Sequence, residues 1–367
     1  MWKRVKTISL IITTILFTFC EKEPTKLVDR ASTDEMIYFS LEGGDRPHQE
    51  QIYVLDPNAG AVVDSIPMSP FAATYLAISP DGCALYASLE PLTLGRWHLY
   101  RIDLDSKKIF DLGLTNAREV YISPDGKYLI TAGGHPNEGL ILRDANDGTI
   151  VYQDLDVRRI LALDPSQPIV YVSHRQDTTW FAIRYNYVEG RFLEPVRIEW
   201  RKIGMIIETA AISPESCYLY YCRGDAREFG VVDLKADSLI FRDSWLGIGD
   251  IGVKPDGSAV YITDFGTQSR WGQTDDRYPP LGKIGKYIPG QSKLSVAVDL
   301  YKTLPPWFGT MYFYVSSDGQ RGYLSAGMHV IVLDLATDRV LKTIRVTFDS
   351  VIFHMVMRQN YYKIRKE

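Results

Sequence analysis

Apolar and polar positions along this chain alternate in short runs of four to eight residues, each broken by a cluster of Gly, Pro, Asp, Asn or Ser. The clearest run is DIGVKPDGSAVYITD, which starts at Asp250 and ends at Asp264. An apolar stretch leads into Pro255-Asp256-Gly257, where proline presets φ and glycine accepts a positive φ, and a β-rich stretch follows. That pattern predicts a β-hairpin. Related hairpins are predicted around turn motifs that begin at Ser79, Ser123, Asp164, Ser213 and Ser316, so that with Lys254 the steps between motifs are 44, 41, 49, 41 and 62 residues.

A period in the forties predicts a ring of four-stranded antiparallel blades, none of which buries its faces alone. A second series of hairpins follows the first, with turns such as Asp56-Pro57-Asn58, Asp144-Ala145-Asn146 and Asp334-Leu335-Ala336. There are seven outer hairpins and six inner ones. The folded part opens on a lone strand at 36–40 and closes on an unpartnered apolar strand at 351–356. Pairing the last strand with the first blade removes both free edges. The expected fold is therefore all-β: a seven-bladed β-propeller closed by its C-terminal strand on its N-terminal blade.

The repeat unit resembles the YVTN-type, SPDG-containing β-propeller repeats of bacterial surface and periplasmic proteins. Tyr261-Ile262-Thr263-Asp264 and Tyr171-Val172-Ser173-His174 carry the likeness, with Asp56, Asp103, Asp144, Asp233 and Asp334 closing the third strand over roughly residues 36–356. In two blades Tyr185 and Tyr287 stand where that Asp is expected. The resemblance implies a seven-bladed ring and an exported protein. It does not imply one function, because such rings act as binding surfaces, enzyme scaffolds and partners alike.

The N-terminus changes the picture of where the protein works. Lys3, Arg4 and Lys6 precede a 12-residue apolar stretch at 8–19, and Cys20 opens a polar segment. The apolar stretch is short for a membrane span and has the length of a signal-peptide core. A cysteine at its end resembles the lipobox of bacterial lipoproteins, although Phe19 stands where a small residue is usual. The expected organisation is a signal peptide at 1–19, a lipidated tether at 20–35 anchored to a membrane through Cys20, and the propeller at 36–367. The expected location is the cell envelope.

Charge and cysteines exclude some roles. The formal net charge is −4 and becomes −7 without the first 19 residues, so no nucleic-acid role resting on bulk charge is expected. Cys83, Cys217 and Cys222 sit too far apart to bridge, which predicts free thiols. No Cys-His spacing suggests zinc and no Asp-x-Asp-x-Asp loop suggests calcium, so neither a metal nor a cofactor is expected. Arg223-Gly224-Asp225 is short enough to arise by chance.

Candidate chemistry gathers on one face. Strand alternation puts the SPDG turns on one face and the irregular connections on the other. The longest connection follows Phe265 and supplies Arg270, Trp271, Asp275, Asp276, Arg277 and Tyr278 as candidate binding residues, or as a group that packs on itself. Five residues before the turn motifs stand Thr74, Arg118, Arg159, Glu208, Gly249 and Met311. Arg118, Arg159 and Glu208 there, with Asp250 next along, could line a polar funnel for an anionic ligand. Six scattered histidines, of which His135, His174 and His329 lie in or beside the loops, name no catalytic residue. The function expected is non-catalytic: a monomeric envelope propeller binding a protein or glycan partner through its loop face. The alternative is a lactonase-like or lyase-like enzyme with its site at the channel mouth.

Overall fold

The computed structural model describes residues 35–357 except 43–49, 70, 92–96, 116–118, 133–138, 155–156, 177–178, 194–208, 224–227, 245–248, 264–281, 301–309 and 347–350. Among the described residues, twenty-eight strands form seven four-stranded antiparallel sheets. The first blade combines β28 (Val351–Met357), β1 (Ile37–Glu42), β2 (Gln51–Asp56) and β3 (Ala61–Pro67), in that order from the ring's centre outward. Blade two is β4 (Phe71–Ile78) to β7 (Ile109–Thr115), and blade three is β8 (Glu119–Ile122) to β11 (Ile150–Asp154). Blade four runs from β12 (Val157–Leu163) through β13 (Ile169–Gln176) and β14 (Thr179–Asn186) to β15 (Arg191–Phe192). Blades five, six and seven are β16 (Thr209–Ile212) to β19 (Ser238–Ser244), β20 (Ile251–Val253) to β23 (Ser295–Asp299), and β24 (Thr310–Val315) to β27 (Arg339–Arg345).

The ring closes as the strand count requires. β28 pairs antiparallel with β1 from Ile37↔Met357 to Glu42↔Val351, so the chain's last strand is the innermost strand of its first blade. On the SPDG face the same blade is tied to blade seven: Arg321 donates to the Asn58 side chain at 2.7 Å, and the Tyr323 hydroxyl donates to Glu35.

Why the turns carry Ser and Asp is visible in their hydrogen bonds. The Ser79 hydroxyl donates to Asp81 at 2.5 Å and accepts from the Ala84 backbone N–H at 2.8 Å, while Gly82 takes φ +69°. Ser123 and Ser316 do the same with Asp125 and Asp318. These serines are buried, and their hydroxyls satisfy turn N–H groups that water cannot reach. In blade four the roles are exchanged. Asp164 holds the N–H groups of Ser166 and Gln167 and also accepts the hydroxyl of Ser216 in blade five at 2.6 Å.

The outer turns use the Asp that ends each third strand. Asp56, Asp103, Asp144, Asp233 and Asp334 each accept backbone N–H groups two or three residues on, at 2.8 to 3.4 Å. In blade four this work falls to Asn186, one residue beyond Tyr185, which accepts from Val188 and Glu189. Asn186 pairs with Ile169 and so holds the register position that Asp103, Asp144, Asp233 and Asp334 hold in their blades, and the buried Tyr185 ring stacks with Tyr152 of the preceding blade.

Packing is between blades. Each apolar cluster joins the facing sheets of neighbours: Ala77, Tyr86 and Leu99 of blade two meet Val120 and Leu129 of blade three, and Tyr261 and Ile284 of blade six meet Phe313, Leu324 and Leu333 of blade seven. The outermost strands carry a β-bulge at one repeated place, beside Val63, Val151, Ile240 and Leu341. These four aliphatic side chains are all more than half exposed.

Candidate functional site

The innermost strands run from the loop face toward the SPDG turns, and their backbone pairing fixes which residues share a level. Tyr75 pairs with Ser88, Glu119 with Ala132, Arg159 with Ser173, Thr209 with Cys222 and His354 with Ser40. Asp250 and Tyr312 join the level through bonds to Thr263 and Ser325. One side chain per blade thus forms a ring: Tyr75, Glu119, Arg159, Thr209, Asp250, Tyr312 and His354. Their partners on the second strands are all small and buried, which leaves space for the larger ring residues.

This level lies one residue closer to the turns than the count of five. The exception is Arg159, because a β-bulge between Ile160 and Ala162 adds a residue to its strand. Arg159 therefore stands level with Glu119 and not with Arg118. Its Nε lies 3.4 Å from Glu119 Oε1, a pair that links blades three and four.

The other ring residues also tie blade to blade. Asp250 accepts the Phe313 N–H of blade seven at 2.9 Å and its own neighbour Ile251 N–H at 2.9 Å, and the Thr209 side chain of blade five hydrogen-bonds the same carboxyl. Burial pushes Asp250 up to about 6, against the pull of those hydrogen bonds. His354 accepts the Leu76 N–H of blade two at 3.2 Å and sits between Tyr75 and Tyr312, ring centroids 5.1 and 4.6 Å away. Burial holds the imidazole neutral by lowering it to about 3. Gly249 stands just before Asp250, where a Cβ would lie 1.8 Å from the Thr263 carbonyl oxygen; only glycine lets the strands approach this closely.

Two residues deeper, Tyr121 and Tyr314 extend from opposite parts of the ring. Burial raises the Tyr121 phenol well above its ordinary range, helped by Glu119 and opposed by Arg159, with Tyr314 and Asp250 also in electrostatic reach. Groups from blades three, four, six and seven thus act electrostatically on this one phenol.

Of the candidate funnel residues taken from the sequence, Arg159 and the adjoining Asp250 lie among the described residues. Arg118, Glu208, Arg270, Trp271, Asp275, Asp276, Arg277, Tyr278 and Cys20 fall outside them, as do His135 and the side chain of His174. The histidines that are described stand apart: His98 faces Asp111 on the outer strands of blade two at 3.4 Å, His329 opens a third strand, and His354 is innermost. Among the described residues no three His, Cys, Asp or Glu side chains come together as a metal site would require. Cys83 and Cys217 are exposed, Cys222 is buried, and none of the three is in a disulfide. Arg223 of the Arg-Gly-Asp triplet is buried beside Glu228, 3.7 Å away, and Glu228 also accepts the Tyr221 hydroxyl at 2.9 Å and faces Arg242 Nε at 2.5 Å. That arginine holds its hairpin together and is not offered to a partner.

Glu119, Thr209, Tyr312, His354 and Tyr121 were not singled out from the sequence. A signal was present: nine residues after each turn motif begins stands a small residue, Ser88, Ala132, Ser173, Cys222, Thr263 or Ser325, and the residue paired with it is the ring residue.

No protein-family model matches the chain, and no curated protein matches it in sequence. Solved structures do match in shape. Hydrazine synthase of Kuenenia stuttgartiensis superposes with TM-score 0.58 at 13% identity, covering 75% of this chain and 86% of that one. A functionally unknown protein from Desulfotomaculum acetoxidans gives TM-score 0.58 at 14% identity, over 87% and 99%. The Cps50 (Swd1) beta-propeller domain of Myceliophteria thermophila gives 0.55 at 12%, over 75% and 87%. At such identities the likeness is one of fold alone, and the fold is the seven-bladed β-propeller.

Proposed function

We propose that this chain is a non-catalytic binding propeller of the cell envelope, a YVTN-type repeat protein exported and lipid-anchored at Cys20, which engages a protein or glycan partner through its loop face. One observation carries the non-catalytic part. Among the described residues at the loop-face end of the channel, three titratable side chains each tie one blade to another: Asp250 to Phe313, Glu119 to Arg159, and His354 to Leu76. A general acid or base needs a free lone pair or proton near a substrate, whereas Asp250 and His354 accept backbone N–H groups of the next blade and Glu119 is paired with Arg159.

The choice of face follows from the turns. On the SPDG side, connections are a few residues long and satisfied by their own Ser and Asp side chains. On the other side, β21 (Val260–Thr263) and β22 (Lys283–Tyr287) are joined by 19 residues that no blade needs. Arg270, Trp271, Asp275, Asp276, Arg277 and Tyr278 in that connection are residue types that anchor interfaces.

The test is to replace residues 266–281 by a short Gly-Ser turn and compare the variant with the intact protein. The expected result is a melting temperature within a few degrees of the parent, with loss of an envelope protein or glycan that the parent retains and rebinds when purified. Retention of that partner by the variant would overturn the assignment of the loop.

A further inference from the structure

The chain enters and leaves the ring on the same face. Innermost strands run toward the SPDG turns, and β1 runs antiparallel to β28, so β1 starts and β28 ends on the SPDG face. Entry is at Glu35, whose carboxylate accepts the Tyr323 hydroxyl of blade seven, and exit follows Met357. β1 stands second from the axis, with β2 and β3 between it and the rim.

Only residues 21–34 separate Glu35 from Cys20. A chain of that length spans about 20 Å when relaxed and at most about 50 Å when fully drawn out. Turning the loop face toward a membrane that holds Cys20 would carry this stretch past β2 and β3 and down the length of a strand. That path is about 35 Å, at about 4.8 Å between strands and about 3.3 Å per residue. Stretching so far removes most of the conformations open to the segment, whereas the opposite orientation asks for no stretching.

We infer that the propeller stands with its SPDG face toward the anchoring membrane and its loop face away from it, held so by the shortness of the tether. This rests on the anchor at Cys20 proposed above. It also narrows the partner: the loop face is presented to soluble envelope proteins or to glycans that stand clear of the bilayer, and not to lipid headgroups or to proteins embedded beneath the ring.

The two faces lie about 20 Å apart, the length of one strand. Exposed Cys83 and Cys217 mark the SPDG face in blades two and five, and exposed Ser69 and Ser244, at the ends of β3 and β19, mark the loop face. The experiment places the full lipidated chain, purified from membranes, in phosphatidylethanolamine–phosphatidylglycerol vesicles that carry rhodamine-labelled lipid. A donor dye is attached at Cys83 or Cys217, with the other as serine, or at Ser69→Cys or Ser244→Cys with both as serine. The expected result is several-fold more energy transfer from the SPDG-face donors. That difference should vanish when a Gly-Ser stretch of about 30 residues is inserted between Asp34 and Glu35, since the relaxed span then matches the path around the ring. Equal transfer from both faces, or more from the loop face, in protein that floats with the vesicles would overturn the orientation and leave the anchor intact. A difference that survives the longer tether would overturn the tether as its cause. Protein that does not float with the vesicles would remove the anchor and the orientation with it.

Discussion

Nδ1 of His354, in the last strand, accepts the backbone N–H of Leu76 at 3.2 Å, joining blades one and two across 278 residues of sequence. An imidazole can accept there only while neutral, and burial keeps it so down to about 3. The unfolded chain takes its proton near 6.5, so native stability from this residue is present above that pH and is lost as pH falls toward 3. Chemical denaturation from pH 7 to pH 4.5 should therefore show less acid loss in His354→Gln than in the parent. Parallel profiles would contradict this role.

Asp250 acts in the opposite sense. Its native carboxyl titrates at about 6 and the unfolded one at 3.8, so the native state holds the proton more tightly and gains stability as pH falls through that window. Relative to Asp250→Asn, the parent should gain roughly 2–3 kcal/mol between pH 7 and pH 4. The same denaturation series measures it, and a difference that does not vary with pH would show that the carboxyl is not desolvated.

Truncation after Ser350 removes β28 and leaves β1 without its inner partner. The cooperative thermal transition should be lost and the protein should aggregate, since the apolar inner edge of β1 becomes available for pairing and the first blade loses its innermost strand. Melting like the full-length chain would mean that closure contributes nothing.

Two glycines separate crowding from backbone conformation. Gly249→Ala forces a methyl against the Thr263 carbonyl and should cost about 3 kcal/mol or more. Gly113, at φ +100° with nothing within 4 Å, should cost only about 1–2 kcal/mol as alanine. Urea midpoints of the two variants give the comparison, and equal losses would refute the steric account.

Cys20→Ala should move the protein from the membrane to the soluble fraction. Unchanged membrane association, or a mature N-terminus mapped elsewhere, would remove the lipid anchor.

The ring was legible because its turns repeat: Ser, Asp and Gly recur where the chain must satisfy buried N–H groups or take a positive φ, and those needs are local. Closure was legible from the mismatch between seven outer hairpins and six inner ones. The polar ring was harder to see. A count of fixed length locates equivalent residues only if strands pair without insertion, and the bulge before Ala162 shifts Arg159 by one. Partners such as His354 and Leu76 lie on strands joined only by ring closure, and no spacing along the chain announces which N–H an imidazole will meet.

The bulges beside Val63, Val151, Ile240 and Leu341 have a bearing on crowding. A propeller turns one bare strand edge outward from every blade, and a straight aliphatic edge recruits strands from other molecules into fibrils. A bulge kinks the ladder and misaligns the free N–H and C=O groups on that edge. Four half-exposed aliphatic side chains can therefore stand on the perimeter without nucleating cross-β growth. If the protein is tethered, this protection acts where it is most needed, among copies held at high local density in two dimensions.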